Sequence, residues 1–143
     1  MAGHLLFVAP DAQLGQPEIR LGVFPPAASV LLPLRIAQAR AEDLLYSGRS
    51  IDGLTAAAWG LANQAAEDPA AAALAYFDAH LADKSASSIA FAVRAARTAF
   101  AELARARLAE AEESYLNDLM GTHDANEGLA AFLAKRRPSW EHR

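Results

Sequence analysis

Glu18 is the side chain that its neighbours place best to do chemistry. It directly follows Pro17 and lies between two glycines, Gly15 and Gly22. Proline fixes φ and is favoured at a first helical position, so we predict a short helical turn here, opening after a strand-like segment at residues 12–14. A carboxylate aimed by rigid backbone can act as a general acid or base. The same position also suits an acid that only complements the helix dipole, and this run alone does not separate the two interpretations.

Composition narrows the class of protein. A chain of 143 residues corresponds to one domain with a real core, and its 53% hydrophobic content is enriched in alanine, which indicates helices. The net charge of −4 argues against a nucleic-acid partner. No cysteine is present, so we expect no disulfides and a cytoplasmic location. The apolar stretches are too short to span a bilayer, so we expect no membrane partner.

The pattern along the chain predicts an α+β protein that is predominantly α. Short strands are predicted at residues 5–8, 12–14 and 61–65, and a helix capped by Ser29 carries Pro33 near its first turn. Gly48 suits the left-handed end of the next helix, Asp52 and Thr55 are both candidate caps of the helix at residues 55–59, and Asp124 with Glu127 has the spacing of a capping box. The remaining predicted helices cover residues 39–47, 55–59, 69–82, 87–104, 106–120 and 125–136, with Ile89, Val93, Ala96 and Phe100 forming an apolar stripe.

Four segments, in order, resemble the crotonase superfamily, the enoyl-CoA hydratase/isomerase group. Residues 14–25 match the pattern F/L-G-x-P-E-x-x-L-G-x-x-P, which carries a catalytic glutamate in that family. Residues 39–52 look like A-x-A-x-x-L-x-x-x-G-x-x-I, Gly60-Leu61 stand in place of a G-L-V strand, and residues 124–136 are similar to D-x-x-E-G…A-F-x-x-K-R. The resemblance implies that residues 1–65 are the last part of a ββα spiral core and residues 66–143 a helical trimerisation region.

The resemblance covers only the C-terminal half of a family domain. It implies that a first catalytic glutamate and both peptide N–H donors of the oxyanion hole lie upstream of the segment that aligns with Met1. We therefore expect either a truncated chain or a partner that supplies the missing half. Residues 1–9 would then be the tail of a helix followed by a core strand.

The resemblance also implies roles for particular residues. Glu18 would handle the proton delivered to carbon when water adds to an unsaturated acyl-CoA thioester, and coenzyme A would enter as part of the substrate, with no tightly bound cofactor. Phe132 and Lys135 match positions that contact the CoA nucleotide, often from a neighbouring subunit of a homotrimer or hexamer. Taken alone, Lys135 with its neighbouring arginines is explained by cations favouring a helix C-terminus.

The loop after Glu18 departs from the family pattern P-G-x-G-G. It reads Pro25-Pro26-Ala27-Ala28-Ser29, which removes glycine freedom and reshapes an acyl pocket formed by Val23, Phe24, Pro25 and Pro26. Loop drift explains this equally well. The stretch is also similar to the dienoyl-CoA hydratases of anaerobic aromatic degradation, which act on cyclohexa-1,5-diene-1-carbonyl-CoA.

Other functions stay open at this point. Another crotonase activity (isomerase or hydrolase) fits the same motifs, and a non-catalytic helical oligomerisation or CoA-binding module fits the helical half. The four histidines are too scattered for a ligand set, so we predict no metal site.

Overall fold

Helices dominate the fold and the strands are two residues long, as the predicted α+β, mainly α class requires. The computed structural model describes residues 3–143. Its strands are β1 (Phe7–Val8), β2 (Leu14–Gly15), β3 (Ser50–Ile51) and β4 (Gln64–Ala65). Its helices are α1 (Pro26–Leu31), α2 (Gln38–Ser47), α3 (Gly53–Ala58), α4 (Pro69–His80), α5 (Ala86–Asn117) and α6 (His123–Leu133), with 3₁₀ turns at Pro17–Leu21 and Leu119–Gly121.

The four strands form two small ladders. β1 pairs in parallel with β4, and β2 pairs antiparallel with β3, with Leu14 opposite Ile51. β1 and β4 lie inside the predicted strands at residues 5–8 and 61–65, whereas β2 begins at the last residue of the strand predicted at residues 12–14 and continues to Gly15. The predicted helix tail before β1 is not found at Gly3 and His4, which form a bend, and its first two residues lie outside the described part.

A buried apolar cluster lies beneath the ladders and the first three helices. Leu32 and Leu44 are its most deeply buried large side chains, and Val8, Ile51 and Leu61 complete its centre. Burying a side chain of this size contributes about 1.5–3 kcal/mol, so this cluster is what fixes the positions of β1 to β4. Of the two predicted caps of α3, Asp52 and Thr55, the structure selects Asp52, whose side chain accepts the backbone N–H of Thr55 at 2.7 Å.

Helix α1 begins earlier than predicted. Pro26 occupies its first position after an extended Pro25, while Ser29 already lies inside the helix with its N–H bonded to the Pro25 carbonyl at 2.9 Å. The predicted Ser29 cap is therefore wrong. The fixed φ of Pro26 starts the helix, and Pro33 lies beyond its end rather than in its first turn.

Helix α5 is continuous over 32 residues, so the predicted interruption near Ala104 is wrong. It packs on α1, and no residue of α5 is fully buried. Its half-buried positions repeat every eleven residues, which corresponds to three helical turns of about 3.67 residues each. Because this spacing is close to the period of an α-helix, the positions stay on one side of a straight helix. These positions are Ile89, Val93, Arg97, Phe100, Ala104, Leu108, Ala111 and Tyr115. Ala96, predicted for this stripe, is exposed, and Arg97 takes its place.

Helix α6 is capped by Thr122, not by Asp124. The Thr122 Oγ1 accepts the N–H of Ala125 at 3.2 Å. The predicted capping box is wrong because the carboxylates of Asp124 and Glu127 instead bind the C-terminal tail, residues 134–143. Within residues 3–143, no helix combines the length and apolar character needed to cross a bilayer.

Candidate active site

Glu18 lies in the first turn of the 3₁₀ helix Pro17–Leu21, here called the Glu18 turn. Pro17 occupies an N-terminal position of this helix, and Gly22 ends it with φ of 73°, in the left-handed region that favours glycine. The N–H of Gly22 bonds to the Ile19 carbonyl at 3.1 Å. The predicted helical turn at Pro17 and Glu18 is thus confirmed.

Two neighbouring helices hold the Glu18 turn, and a glycine makes room at each contact. On one side is α6, where a Cβ on Gly128 would overlap the carbonyl oxygen of Leu21. On the other side is the end of α2, where a Cβ on Gly48 would lie 2.8 Å from Ile19 Cγ2. Gly48 also has a positive φ of 63°, as predicted for the end of that helix. The turn that carries Glu18 is therefore fixed between elements distant in sequence.

The Glu18 turn opens onto a cavity of about 390 Å³, here called the Glu18 cavity. Its lining residues are Gln16, Glu18, Val23, Phe24, Pro25, Pro26, Ala27, Ala28 and Tyr115. The Oε2 of Glu18 is buried and has no hydrogen-bond partner among the described residues. Buried polar atoms are nearly always paired, so such an oxygen is poised for a ligand or water.

The structure brings four predicted pocket residues, Val23, Phe24, Pro25 and Pro26, to the cavity that holds Glu18. The sequence did not point to Tyr115, which reaches the cavity from the far end of α5. Its ring meets Phe24 edge-on, with ring centroids 5.5 Å apart. The predicted apolar stripe of Ile89, Val93, Ala96 and Phe100 did not include Tyr115, and no other sequence signal singled this residue out.

Phe132 and Lys135 lie at the end of α6 and do not line the Glu18 cavity. Phe132 is 62% exposed, which is unusual for a large aromatic side chain. Lys135 has a positive φ of 52° and closes the helix: its N–H bonds to the Phe132 carbonyl, and the N–H of Arg136 to that of Ala131. This is the Schellman arrangement, in which glycine is the usual residue at the left-handed position.

The C-terminal tail folds back over α6 and onto the Glu18 turn. The carboxylate of Glu127 accepts hydrogen bonds from both terminal nitrogens of Arg136, at 2.5 and 2.6 Å, and from the backbone N–H of Ser139, at 2.8 Å. Asp124 accepts the N–H groups of Glu141 and His142, each at 2.8 Å. These contacts form what we call the tail clamp.

Trp140 is the point where the tail reaches the Glu18 turn. A Cβ on Gly22 or on Gly128 would come within 3.1 or 3.0 Å of its ring, so the indole rests on both glycines. The tail clamp therefore holds the Trp140 indole against the contact between α6 and the Glu18 turn.

Ionisation of the tail clamp is favoured by its hydrogen bonds. The Arg136 guanidinium, with help from the Ser139 N–H, lowers the pKa of the Glu127 carboxyl from 4.5 to about 2. The Glu141 N–H, followed by His123, also lowers the pKa of Asp124. Both carboxyls are thus held in the charged form that binds the tail.

With this geometry established, the chain can be assigned to a class. The enoyl-CoA hydratase/isomerase family profile matches residues 1–143, and the chain belongs to that family. Among its relatives, the cyclohexa-1,5-dienecarbonyl-CoA hydratase of Thauera aromatica is 61% identical over 142 residues, covering 99% of this chain and 55% of that protein. A probable enoyl-CoA hydratase of Bacillus subtilis is 35% identical over 147 residues, again covering 99% of this chain and 55% of that protein.

Solved structures share the fold. A carnitinyl-CoA dehydratase from Mycobacterium avium superposes with a TM-score of 0.81 at 26% identity, covering 99% of this chain and 57% of that one. An enoyl-CoA hydratase from the same species gives 0.80 at 29% identity, covering 95% of this chain and 53% of that one. The chain spans about half the length of the curated relatives it matches.

Proposed function

We propose that this chain carries the Glu18 half of a hydratase-type lyase that adds water to an unsaturated acyl-CoA thioester. One observation carries the proposal above the others: a buried, unpartnered Oε2 of Glu18 in a cavity with apolar walls. A carboxylate so placed can hold or move a proton at a substrate atom within hydrogen-bond reach. Membership of the enoyl-CoA hydratase/isomerase family supports the same chemistry.

In this proposal Glu18 acts on the carbon next to the thioester carbonyl. Water attacks the unsaturated carbon, the double-bond electrons move toward the thioester, and its oxygen becomes an enolate oxyanion. Glu18, in its protonated form, then delivers its proton to the carbon next to the thioester carbonyl, which restores the carbonyl. The proton that the attacking water loses to a second glutamate replaces it, so that the net change is the addition of one water. The oxyanion needs hydrogen-bond donors. By family resemblance these donors, and the second glutamate that shares the water, belong to the part of a family domain that aligns before residue 1.

The acyl group that we favour is cyclic. Prolines and alanines line the Glu18 cavity where the family pattern has glycines, and such rigid walls suit a ring held in one orientation. The 61% identical relative is a hydratase named for cyclohexa-1,5-dienecarbonyl-CoA. We therefore propose cyclohexa-1,5-diene-1-carbonyl-CoA as the substrate, in anaerobic aromatic degradation in the cytoplasm.

We assign the CoA nucleotide to Phe132 and Lys135. They lie outside the Glu18 cavity at an exposed helix end, which suits a contact made to a neighbouring copy in a trimer or hexamer. The backbone of Lys135 is left-handed, a conformation in which glycine would be less strained. A side chain at such a strained position is a candidate for function. A lysine ammonium can bind phosphate as a point charge.

The proposed function is tested by replacing Glu18 with glutamine. The variant is made in a longer protein, here called the extended protein, whose reading frame includes the codons before residue 1 up to the length of the relatives. Hydration of cyclohexa-1,5-diene-1-carbonyl-CoA and of crotonyl-CoA is measured side by side. We expect Glu18→Gln to lower kcat by about 10²- to 10⁴-fold with little change in affinity. The matched control is Glu67→Gln at an exposed carboxylate, which should leave kcat unchanged.

Three outcomes separate the parts of the proposal. An unchanged rate for Glu18→Gln removes Glu18 from the reaction. Equal turnover by the 143-residue chain and the extended protein shows that the active site lies elsewhere. Preference for crotonyl-CoA, with Glu18 still required, rejects only the cyclic acyl group.

A non-catalytic oligomerisation module is the second candidate, and α5 favours it. That helix exposes Phe91, Leu103 and Leu116, and no residue of its 32 is fully buried. If the reading frame before residue 1 encodes neither a glutamate segment of the G-G-G-x-E-L type nor an oxyanion strand, this second function is the better one. Isomerase activity, which the family name includes, is detected in the same assays by following double-bond migration.

A further inference from the structure

A second, larger cavity lies along the same pair of helices as the Glu18 cavity. It measures about 700 Å³ and is called here the α1–α5 cavity. Helix α1 contributes to both: Pro26, Ala27 and Ala28 line the Glu18 cavity, and Ser29 and Val30 line the larger one. Its wall is mixed: the apolar side chains include Val30, Leu34 and Leu103, and the polar ones are Ser29, Gln38, Arg107, Glu110 and Ser114.

Phe24 lines both cavities, which makes it the residue they share. Its ring packs edge-on against Tyr115, at 5.5 Å between centroids and 73° between planes, a favoured aromatic geometry. On α5, Tyr115 lines the Glu18 cavity, whereas its neighbour Ser114 and Ala111, one turn earlier, line the larger cavity. The aromatic pair therefore stands at the boundary between the two spaces.

We propose that the Phe24–Tyr115 pair is the end wall of the acyl site and limits the size of the acyl group that enters beside Glu18. This inference rests on the proposed function, since it takes the Glu18 cavity as the acyl site. With the wall in place, a compact acyl group fills the Glu18 cavity. Without it, the Glu18 cavity continues into the α1–α5 cavity, and a long alkyl chain extends there along the apolar part of the wall at Val30, Leu34 and Leu103. The two aromatic residues thus determine specificity, whereas Glu18 carries the proton.

The experiment measures binding rather than turnover, so that it does not depend on Glu18. Calorimetry gives the Kd of the extended protein for butyryl-CoA and for decanoyl-CoA, saturated thioesters that cannot be hydrated. Both carry the same CoA moiety, so the ratio of the two Kd values reports the acyl site alone. We expect Phe24→Ala to shift this ratio in favour of decanoyl-CoA by about tenfold or more.

Three further variants separate the wall from general loosening. Tyr115→Ala should shift the ratio in the same direction. If Phe24→Ala does not fold, Tyr115→Ala still tests the wall, because Tyr115 lies on α5, a helix in which no residue is fully buried. Tyr115→Phe keeps the ring and should keep the ratio of the unsubstituted protein. Leu103→Ala enlarges only the α1–α5 cavity and should also keep it.

An unchanged ratio in both alanine variants overturns the end wall, as does an equal shift in Leu103→Ala. If Glu18→Gln still removes hydration in that case, the proposed function stands without the wall. If neither thioester binds the unsubstituted protein, both the acyl site and its wall are rejected. A crystal structure of Phe24→Ala gives an independent check, because two cavities that remain separate also contradict the proposal.

Discussion

The carboxylate of Glu18 has one buried oxygen with no hydrogen-bond partner in the described part of the chain. A buried polar group left in this way costs about 1–3 kcal/mol, which the fold must offset elsewhere. The offset comes from rigid surroundings: Pro17 starts the turn, Gly22 ends it, and α2 and α6 hold its sides. A group maintained at such a cost is a candidate for function rather than for stability.

Gly128 is the residue on which the position of the Glu18 turn depends most directly. We expect Gly128→Ala to lower the free energy of unfolding by about 1–3 kcal/mol, because the new Cβ would overlap the backbone oxygen of Leu21. Denaturant unfolding of the 143-residue chain measures this change. Gly121→Ala is the matched control, since a Cβ there meets no atom within 4 Å. Equal effects of the two substitutions would show that α6 does not hold the turn.

Lys135 offers a test of the CoA assignment that leaves the acyl site untouched. We expect Lys135→Ala to raise KM for a CoA thioester about tenfold by removing one charge-assisted contact. KM for the N-acetylcysteamine thioester of the same acid, which lacks the nucleotide, should not change. Arg137→Ala removes an equal charge two residues away and serves as control. A similar rise for both thioesters would reject a nucleotide contact.

At the scale of elements, the C-terminal tail connects α6 to the Glu18 turn through Trp140 and the tail clamp. Both clamp carboxyls have a pKa lowered in the folded chain, that of Glu127 to about 2. A lowered pKa means that the charged form is stabilised by folding. This stabilisation is complete above the unfolded pKa and is lost as the pH falls through the folded pKa.

We therefore expect the tail to leave the Glu18 turn as the pH falls from about 5 toward 2. The chain has two tryptophans, so Trp140 fluorescence can be followed in a Trp59→Phe background. Glu127→Gln should shift the transition in Trp140 emission or remove it, because a neutral amide no longer pairs with Arg136. Glu67→Gln is the control at an exposed carboxylate. Emission that is independent of pH over this window would contradict a carboxylate-held tail.

At the scale of the whole molecule, apolar surface is concentrated on the two longest helices. Leu74 and Phe77 of α4 and Phe91, Leu103 and Leu116 of α5 are all more than two-fifths exposed. Exposed patches of this kind mark interfaces. The two-stranded ladders also leave β-edges without a partner in the described residues.

We expect the chain to self-associate, with a trimer or hexamer as the family resemblance implies. Light scattering after size exclusion measures the mass. Replacing Phe91 and Leu116 by serine should shift the mass toward the monomer, whereas the same change at Leu54, an exposed residue of α3, should not. A dilute, folded monomer in the unsubstituted chain would contradict this expectation.

The division into a core at residues 1–65 and a helical region at residues 66–143 stays a prediction, although α5 and α6 pack against elements of the first part.

Local signals in the sequence were enough to predict several of these elements. Pro17 predicted the Glu18 turn, Asp52 the start of α3, and Gly48 the left-handed end of α2. In each case the physical cause lies within a few residues: a fixed φ, a side chain that reaches a nearby N–H, or a residue without Cβ. The family motifs identified Glu18 and the segment Val23–Pro26 for the same reason, because they are contiguous in the chain.

Only the tertiary structure decided which distant groups these residues meet. Asp124 and Glu127 had the spacing of a capping box, yet their carboxylates bind the tail, since a nearby guanidinium and free N–H groups compete better than the helix start. Tyr115 lies almost a hundred residues after Glu18, and spacing along the chain cannot show that its ring reaches the same cavity. Contacts of this kind depend on how α1, α5 and α6 pack together, and packing is a property of the whole set of buried surfaces rather than of any one segment.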